Sequence, residues 1–147
     1  MAPLKGLALA LDLADRQRLL AGKALAQSQR AYSFSQSQLQ QLQSYLGDSQ
    51  SRSVRTGQTL VGGAVLQGHH QFMGRLRLAI GLQEGVLNDM QQQLAGAKKA
   101  SMAAEFRKAS LERVLRRRAD VQARAVARQE QKQSDDFSSQ RSAVRNG

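Results

Sequence analysis

The sequence predicts an all-α protein, one long antiparallel two-helix coiled coil (an α-hairpin), on three observations. Bulky apolar residues recur at alternating steps of three and four through most of the chain. Proline occurs once, at Pro3, where a first helical turn tolerates its missing N–H. Glycines crowd one internal stretch and so divide the pattern into two segments.

The first segment keeps a seven-residue register. One seam position reads Leu4, Leu11, Arg18, Leu25, Tyr32, Leu39, Leu46, and its companion reads Leu7, Ala14, Ala21, Ser28, Ser35, Leu42, Ser49. Sustained 3–4 spacing of this kind is the coiled-coil pattern. Gly47, Gly57, Gly62 and Gly63 then interrupt it, together with several serines. Glycine costs about 1 kcal/mol per helical position relative to alanine, so a turn falls within this stretch. The register resumes at Met73, Leu76, Ile80, Gln83, Leu87, Met90, Leu94 and Ala97, and continues through Ser101, Ala104, Lys108, Leu111 and Leu115. Beyond Leu115 only Val114, Val121 and Val126 supply bulk, and from Gln129 the chain is almost wholly polar, so fraying is expected there. The expectation is one domain over 1–147, with helix one over about 3–52, a turn over about 53–63 and helix two over about 64–140. Helices of about 50 and 75 residues would span roughly 75 and 110 Å at 1.5 Å per residue. A single turn brings both chain ends to the same end of such a rod, with helix two overhanging.

Composition agrees with a narrow seam. Aromatic residues make up 4% of the chain, Trp and Cys are absent, and much of the apolar content is alanine. Few large side chains are available to fill a globular core. The missing cysteines exclude a disulfide framework and a thiolate metal site. Met1 to Leu13 superficially resembles a secretion signal, but the apolar run is short and Asp12 and Asp15 cut into it. No apolar stretch approaches the ~20 residues that span a bilayer. The formal charge is +11, with 15 Lys/Arg against 8 Asp/Glu in residues 74–147. Such a field favours acidic partners of any kind.

Few residues point to chemistry. His69 and His70 are helix neighbours about 100° apart, and no Cys or acidic cluster completes a metal site with them. Surface or seam-edge histidines are expected. Thr59–Gly68 is glycine-rich but lacks the lysine of a phosphate loop. Asp135 and Asp136 lie in a polar tail without the desolvated cleft that acid–base catalysis needs. No catalytic residues, metal or cofactor are expected, nor a small-molecule substrate: the reading is a binding rod and not an enzyme.

Two surfaces stand out instead. Arg113, Arg116, Arg117 and Arg118 form a basic patch, extended by Lys98, Lys99, Arg107, Lys108, Arg124 and Arg128. It is a solvated helical face, a site for an acidic protein surface, or a nucleic-acid site, although stacking aromatics do not interleave with it. The second surface lies near the break. Tyr45 and Phe72 are off the strict seam, flank the turn and face each other across a hairpin. With Gln38, Leu42, Leu76 and Ala79 they recur at helical spacings, either as a contact strip or as extra core.

In order along the chain, the Ala/Leu-rich opening, SQLQQLQSYL at Ser37–Leu46, FMGRLRLAIGLQ at Phe72–Gln83 and RQEQKQSDDFSSQR at Arg128–Arg141 resemble the FliJ family, stalk proteins of the flagellar type III export apparatus. The resemblance covers essentially the whole chain. It implies an antiparallel coiled coil similar to the rotor stalk of rotary ATPases, cytoplasmic and peripherally associated with the inner-membrane export apparatus. It implies three kinds of partner: the hexameric export ATPase, the linker of the membrane export gate protein, and export chaperones. Nucleic acid is not among them. Gate binding would map to Gln38, Leu42, Tyr45, Phe72, Leu76 and Ala79. The family pattern often continues with an aromatic at Ser49 and a histidine at Gln83, and this chain departs from it at both. ATPase-ring contacts would fall towards the paired ends, at Leu13, Arg16 and Leu20 in the first helix and Arg124, Arg128, Gln131 and Lys132 in the second. The equivalent stalk of a virulence type III secretion system and a basic nucleic-acid-binding helical protein remain open alternatives.

Overall fold

The computed structural model describes residues 2–57 and 62–146, and side chains over 4–54 and 62–145. Two helices account for nearly all of it: α1, Ala2–Gly57, and α2, Gly63–Asn146. They pack against each other as a helical hairpin. Every seam position named above is buried or half-buried in both helices, from Leu4 to Ser49 and from Met73 to Leu115. The pattern extends one further step on each side of the turn, to half-buried Ser53 and His69, and past Leu115 to half-buried Gln122.

The element bounds differ from the sequence expectation. Residues 53–57 are helical, so α1 runs beyond position 52. Buried Ser49 and half-buried Ser53 keep α1 in register there, and packing in that register outweighs the roughly 1 kcal/mol that one glycine costs. The expected turn therefore narrows: residues 58–61 lie outside the described residues, and Gly62 is non-helical. The Gly62 carbonyl accepts from Val65 N at 3.1 Å and Leu66 N at 3.3 Å, closing the first turn of α2. At its other end α2 continues to Asn146 instead of stopping near 140. Side-chain pairs one turn apart support those last turns. Gln131 Nε2 donates to Asp135 Oδ1 at 3.1 Å, and the Arg141 guanidinium lies 5.5 Å from the Phe137 ring centre.

The chain divides into two compact units: Met1–Leu19 with Ala103–Gly147, and Leu20–Met102. In the second, Leu39, Leu76 and Ile80 form a buried cluster, with Leu42, Leu46 and Leu87 packed against it. Each is a γ-branched or β-branched side chain whose burial contributes about 1.5–3 kcal/mol. Gln83 joins the helices beside this cluster. Its Nε2 donates to the Ser35 carbonyl at 3.1 Å and to Gln38 Oε1 at 3.3 Å. The first unit is held differently. Lys108 Nζ lies 3.0 Å from Asp15 Oδ1 across the helix pair and 3.7 Å from Glu112 Oε1, while Arg18 Nη2 lies 3.1 Å from Asp15 Oδ1. From residue 123 to residue 145 every side chain is exposed.

Candidate partner-binding surface

Successive helical residues turn by 100°, so residues seven apart lie nearly above one another. In the unit Leu20–Met102 one such row on α1 is Ala24, Ala31, Gln38 and Tyr45, and its counterpart on α2 is Val65, Phe72, Ala79 and Val86. Both rows flank the seam on the same face of the hairpin, as the Gln83–Gln38 bond and two shared cavities show. None of these eight side chains is charged, and the next step along the α1 row is Arg52. Tyr45 is 64% exposed and Phe72 47% exposed, so neither ring belongs to the core. Exposed Phe34 and Leu82 border the same face, in rows that also carry Asp48, Arg75 and Asp89. The opposite flank carries Gln29, Gln36, Gln43 and Gln50 on α1, and Arg77, Glu84, Gln91 and Lys98 on α2. The first pair of rows is therefore mainly apolar and neutral, with Arg52 at its turn end, and the second pair is polar.

The six residues that the resemblance assigns to gate binding separate by depth. Gln38, Tyr45 and Phe72 are exposed, Leu42 and Ala79 are half-buried, and Leu76 is a core residue at 9% exposure. Leu76 supports the face from beneath instead of presenting a contact on it. The sequence reading missed Val65, Leu66 and Val86. A seven-residue step backward from Phe72 and forward from Ala79 reaches Val65 and Val86, in a row beside the seam.

The residues assigned to the ATPase ring do not form one cluster. Arg16 Nη2 pairs with Asp12 Oδ2 at 3.1 Å, and Leu13 is exposed on the same stretch of α1, whose neighbour Asp15 meets Lys108. Arg124, Arg128, Gln131 and Lys132 lie beyond Gln122, on the stretch of α2 where every side chain is exposed. Leu20 is exposed and belongs to the other unit. Arg113, Arg116, Arg117 and Arg118 are all exposed and make no ion pair among the described residues. Among the described residues, Asp15 is the group whose titration is shifted. The hydrogen bond from Lys108, then that from Arg18, holds its carboxyl below the usual carboxylate value. No group of three or more His, Cys, Asp or Glu that could hold a metal occurs among the described residues. Nor is any described helix long and apolar enough to cross a membrane.

A seam register of this length, a second helix with an excess of basic residues and exposed aromatic rings beside the seam define a coiled-coil hairpin with surfaces suited to contacting other proteins. A family model described as Flagellar FliJ protein matches residues 4–147, essentially the whole chain. The chain belongs to the FliJ family, and so to the components of the flagellar type III export apparatus. The family matched is the flagellar one, not the virulence-system stalk that the sequence left open. No curated protein and no solved structure matches the chain.

Proposed function

We propose that this protein links the hexameric export ATPase to the membrane export gate, acting by binding alone and without chemistry of its own. The gate linker docks on the face that carries Gln38, Leu42, Tyr45, Phe72 and Ala79. The ATPase ring is met by the unit that contains Leu13, Arg16 and the exposed α2 stretch with Arg124, Arg128, Gln131 and Lys132; exposed Leu20 adds a contact on α1. The arginines 113 and 116–118 supply long-range attraction to acidic surfaces of the ring. Export chaperones are further partners, and the working location is the cytoplasmic side of the inner-membrane apparatus.

The observation that supports the gate assignment is the asymmetry of the unit Leu20–Met102. Two aromatic rings in a chain with very few aromatics, Tyr45 and Phe72, stand exposed in rows that flank one side of the seam, and the rows that flank its other side carry Gln29, Gln36, Gln43 and Gln50 and Arg77, Glu84, Gln91 and Lys98. Exposed aromatics of this kind are the usual anchors of protein interfaces. The test is a pair of variants in the full chain, Tyr45→Ala and Phe72→Ala. Each should lower affinity for the gate protein's cytoplasmic part at least about tenfold, equal to ~1.4 kcal/mol, with ATPase affinity unchanged. Unaltered gate affinity in both variants contradicts the assignment.

A further inference from the structure

In the unit of Met1–Leu19 and Ala103–Gly147, the seam positions Ala104, Lys108, Leu111 and Leu115 of α2 are each half-buried. At 100° per residue, Phe106 and Arg113 fall midway between those positions, on the side of α2 turned away from α1. Arg116 and Arg117 lie on the two adjoining rows, and Arg107 borders them. Phe106 is 74% exposed, and all four arginines are exposed. No side chain of the four makes an ion pair or hydrogen bond among the described residues. From Phe106 to Arg117 the rest of these three rows is Ala109 and Ser110, with no acidic residue; Asp120 lies beyond. Glu105 and Glu112 occupy a row beside the seam, where Glu112 Oε1 is 3.7 Å from Lys108 Nζ.

The result is an outward strip, about 16 Å long, of uncompensated positive charge with one bare aromatic ring. Its charge suits any anionic partner, and the ring discriminates between them. Helical surfaces that lie on membranes combine basic side chains with a bulky apolar one, which enters the boundary below the headgroups. Single-stranded nucleic acid is held by stacking aromatics interleaved with the basic groups, whereas here one ring stands at the end of the strip. An acidic protein has to bring a groove shaped to a convex helix, and a fluid bilayer imposes no such requirement.

We propose that this outward strip of α2 binds an anionic lipid surface: Arg107, Arg113, Arg116 and Arg117 reach headgroup phosphates, and the Phe106 ring enters the boundary between headgroups and acyl chains. The lipid contact is independent of the gate assignment and of the contacts assigned to the ATPase ring. Long-range attraction to the ring needs no contact at these side chains.

The experiment takes the full chain with vesicles of phosphatidylcholine alone or of equimolar phosphatidylcholine and phosphatidylglycerol, and measures cosedimentation and the thermal melt of each variant. The chain should sediment with the anionic vesicles and not with the neutral ones, and less as salt is raised. Arg113→Gln combined with Arg117→Gln should weaken this at least about tenfold, from roughly fivefold for each arginine. Arg30→Gln combined with Arg77→Gln removes the same charge from exposed positions of the other unit and should leave binding nearly intact. Phe106→Ala should weaken binding several-fold with the salt dependence and the melt unchanged, since the exposed ring is not core. Equal losses in the two double variants overturn the strip in favour of net charge alone. Full binding by Phe106→Ala, or equal sedimentation with neutral vesicles, overturns the lipid contact. Failure to sediment with anionic vesicles overturns it too, and binding of random duplex DNA in that case assigns the strip to nucleic acid.

Discussion

Among the described residues, the unit Leu20–Met102 buries Leu39, Met73, Leu76, Ile80 and Leu94, whereas the unit of Met1–Leu19 and Ala103–Gly147 buries one hydrophobic side chain, Ala14. The second of these places Asp15 and Lys108 at the seam where the first has leucine and isoleucine. Ion pairs this exposed contribute little, so the first unit is stabilised by its core and the second mainly by helix propensity and weak pairing. The difference teaches what each region is suited to. A region with its own core can hold an apolar face open to a partner. A region without one, and with a long stretch of uncovered basic helix, is positioned to gain order from the surface it binds.

Removing core volume should produce the largest effect. Ile80→Ala or Leu76→Ala should cost about 2–5 kcal/mol and lower the thermal midpoint sharply, because each side chain sits in the one buried cluster. Ala14→Gly, in the thinner unit, should cost about 1 kcal/mol, mainly through helix propensity. Equal effects from the two substitutions would erase the contrast. Gln83→Ala should cost a similar ~1 kcal/mol, through loss of the bonds to Ser35 and Gln38. A thermal melt of each variant at fixed concentration reads all three.

The smallest effect is electrostatic and has a sign. Asp15 titrates below its ordinary value of 3.8 because Lys108 and Arg18 favour its charged form. A depressed carboxylate releases its proton more readily in the folded state, so its contribution is present above pH 3.8 and fades as pH falls through the lower folded value. Asp15→Asn should therefore flatten the acid limb of the stability curve and change little at neutral pH. An unchanged acid limb would remove the cross-helix pair from the account.

How much of this was legible depends on which interactions a period can encode. Burial repeats every 3.5 residues, so the seam from Leu4 to Leu115 could be read directly, including weak positions such as Ser35 and Ser49. The helix ends could not. Gly57 and Gly63 are both helical despite a penalty of about 1 kcal/mol each, and sequence alone does not weigh that penalty against the seam register that runs up to the turn on both sides. The Gln83–Ser35 and Lys108–Asp15 contacts depend on the stagger between the helices, which no spacing within one helix specifies. The apolar face was half legible. Tyr45 and Phe72 drew attention because aromatics are scarce, but Val65 and Val86 are ordinary residues whose significance comes only from exposure on the same flank. Leu76 stood both in the seam register and in the gate-binding set that the resemblance implies, and its burial is the one the register predicts.

The central claim is that the two units serve different partners. Hydrogen exchange on the full chain, alone, with the gate protein's cytoplasmic part and with the ATPase hexamer, tests it most directly. The account predicts that the gate slows exchange around residues 34–52 and 65–86 and leaves 113–132 unchanged. The ATPase should do the reverse, with its strongest protection where α2 is uncovered and exchange in the free protein is fastest. Protection of 113–132 by the gate, or of 65–86 by the ATPase, would contradict it.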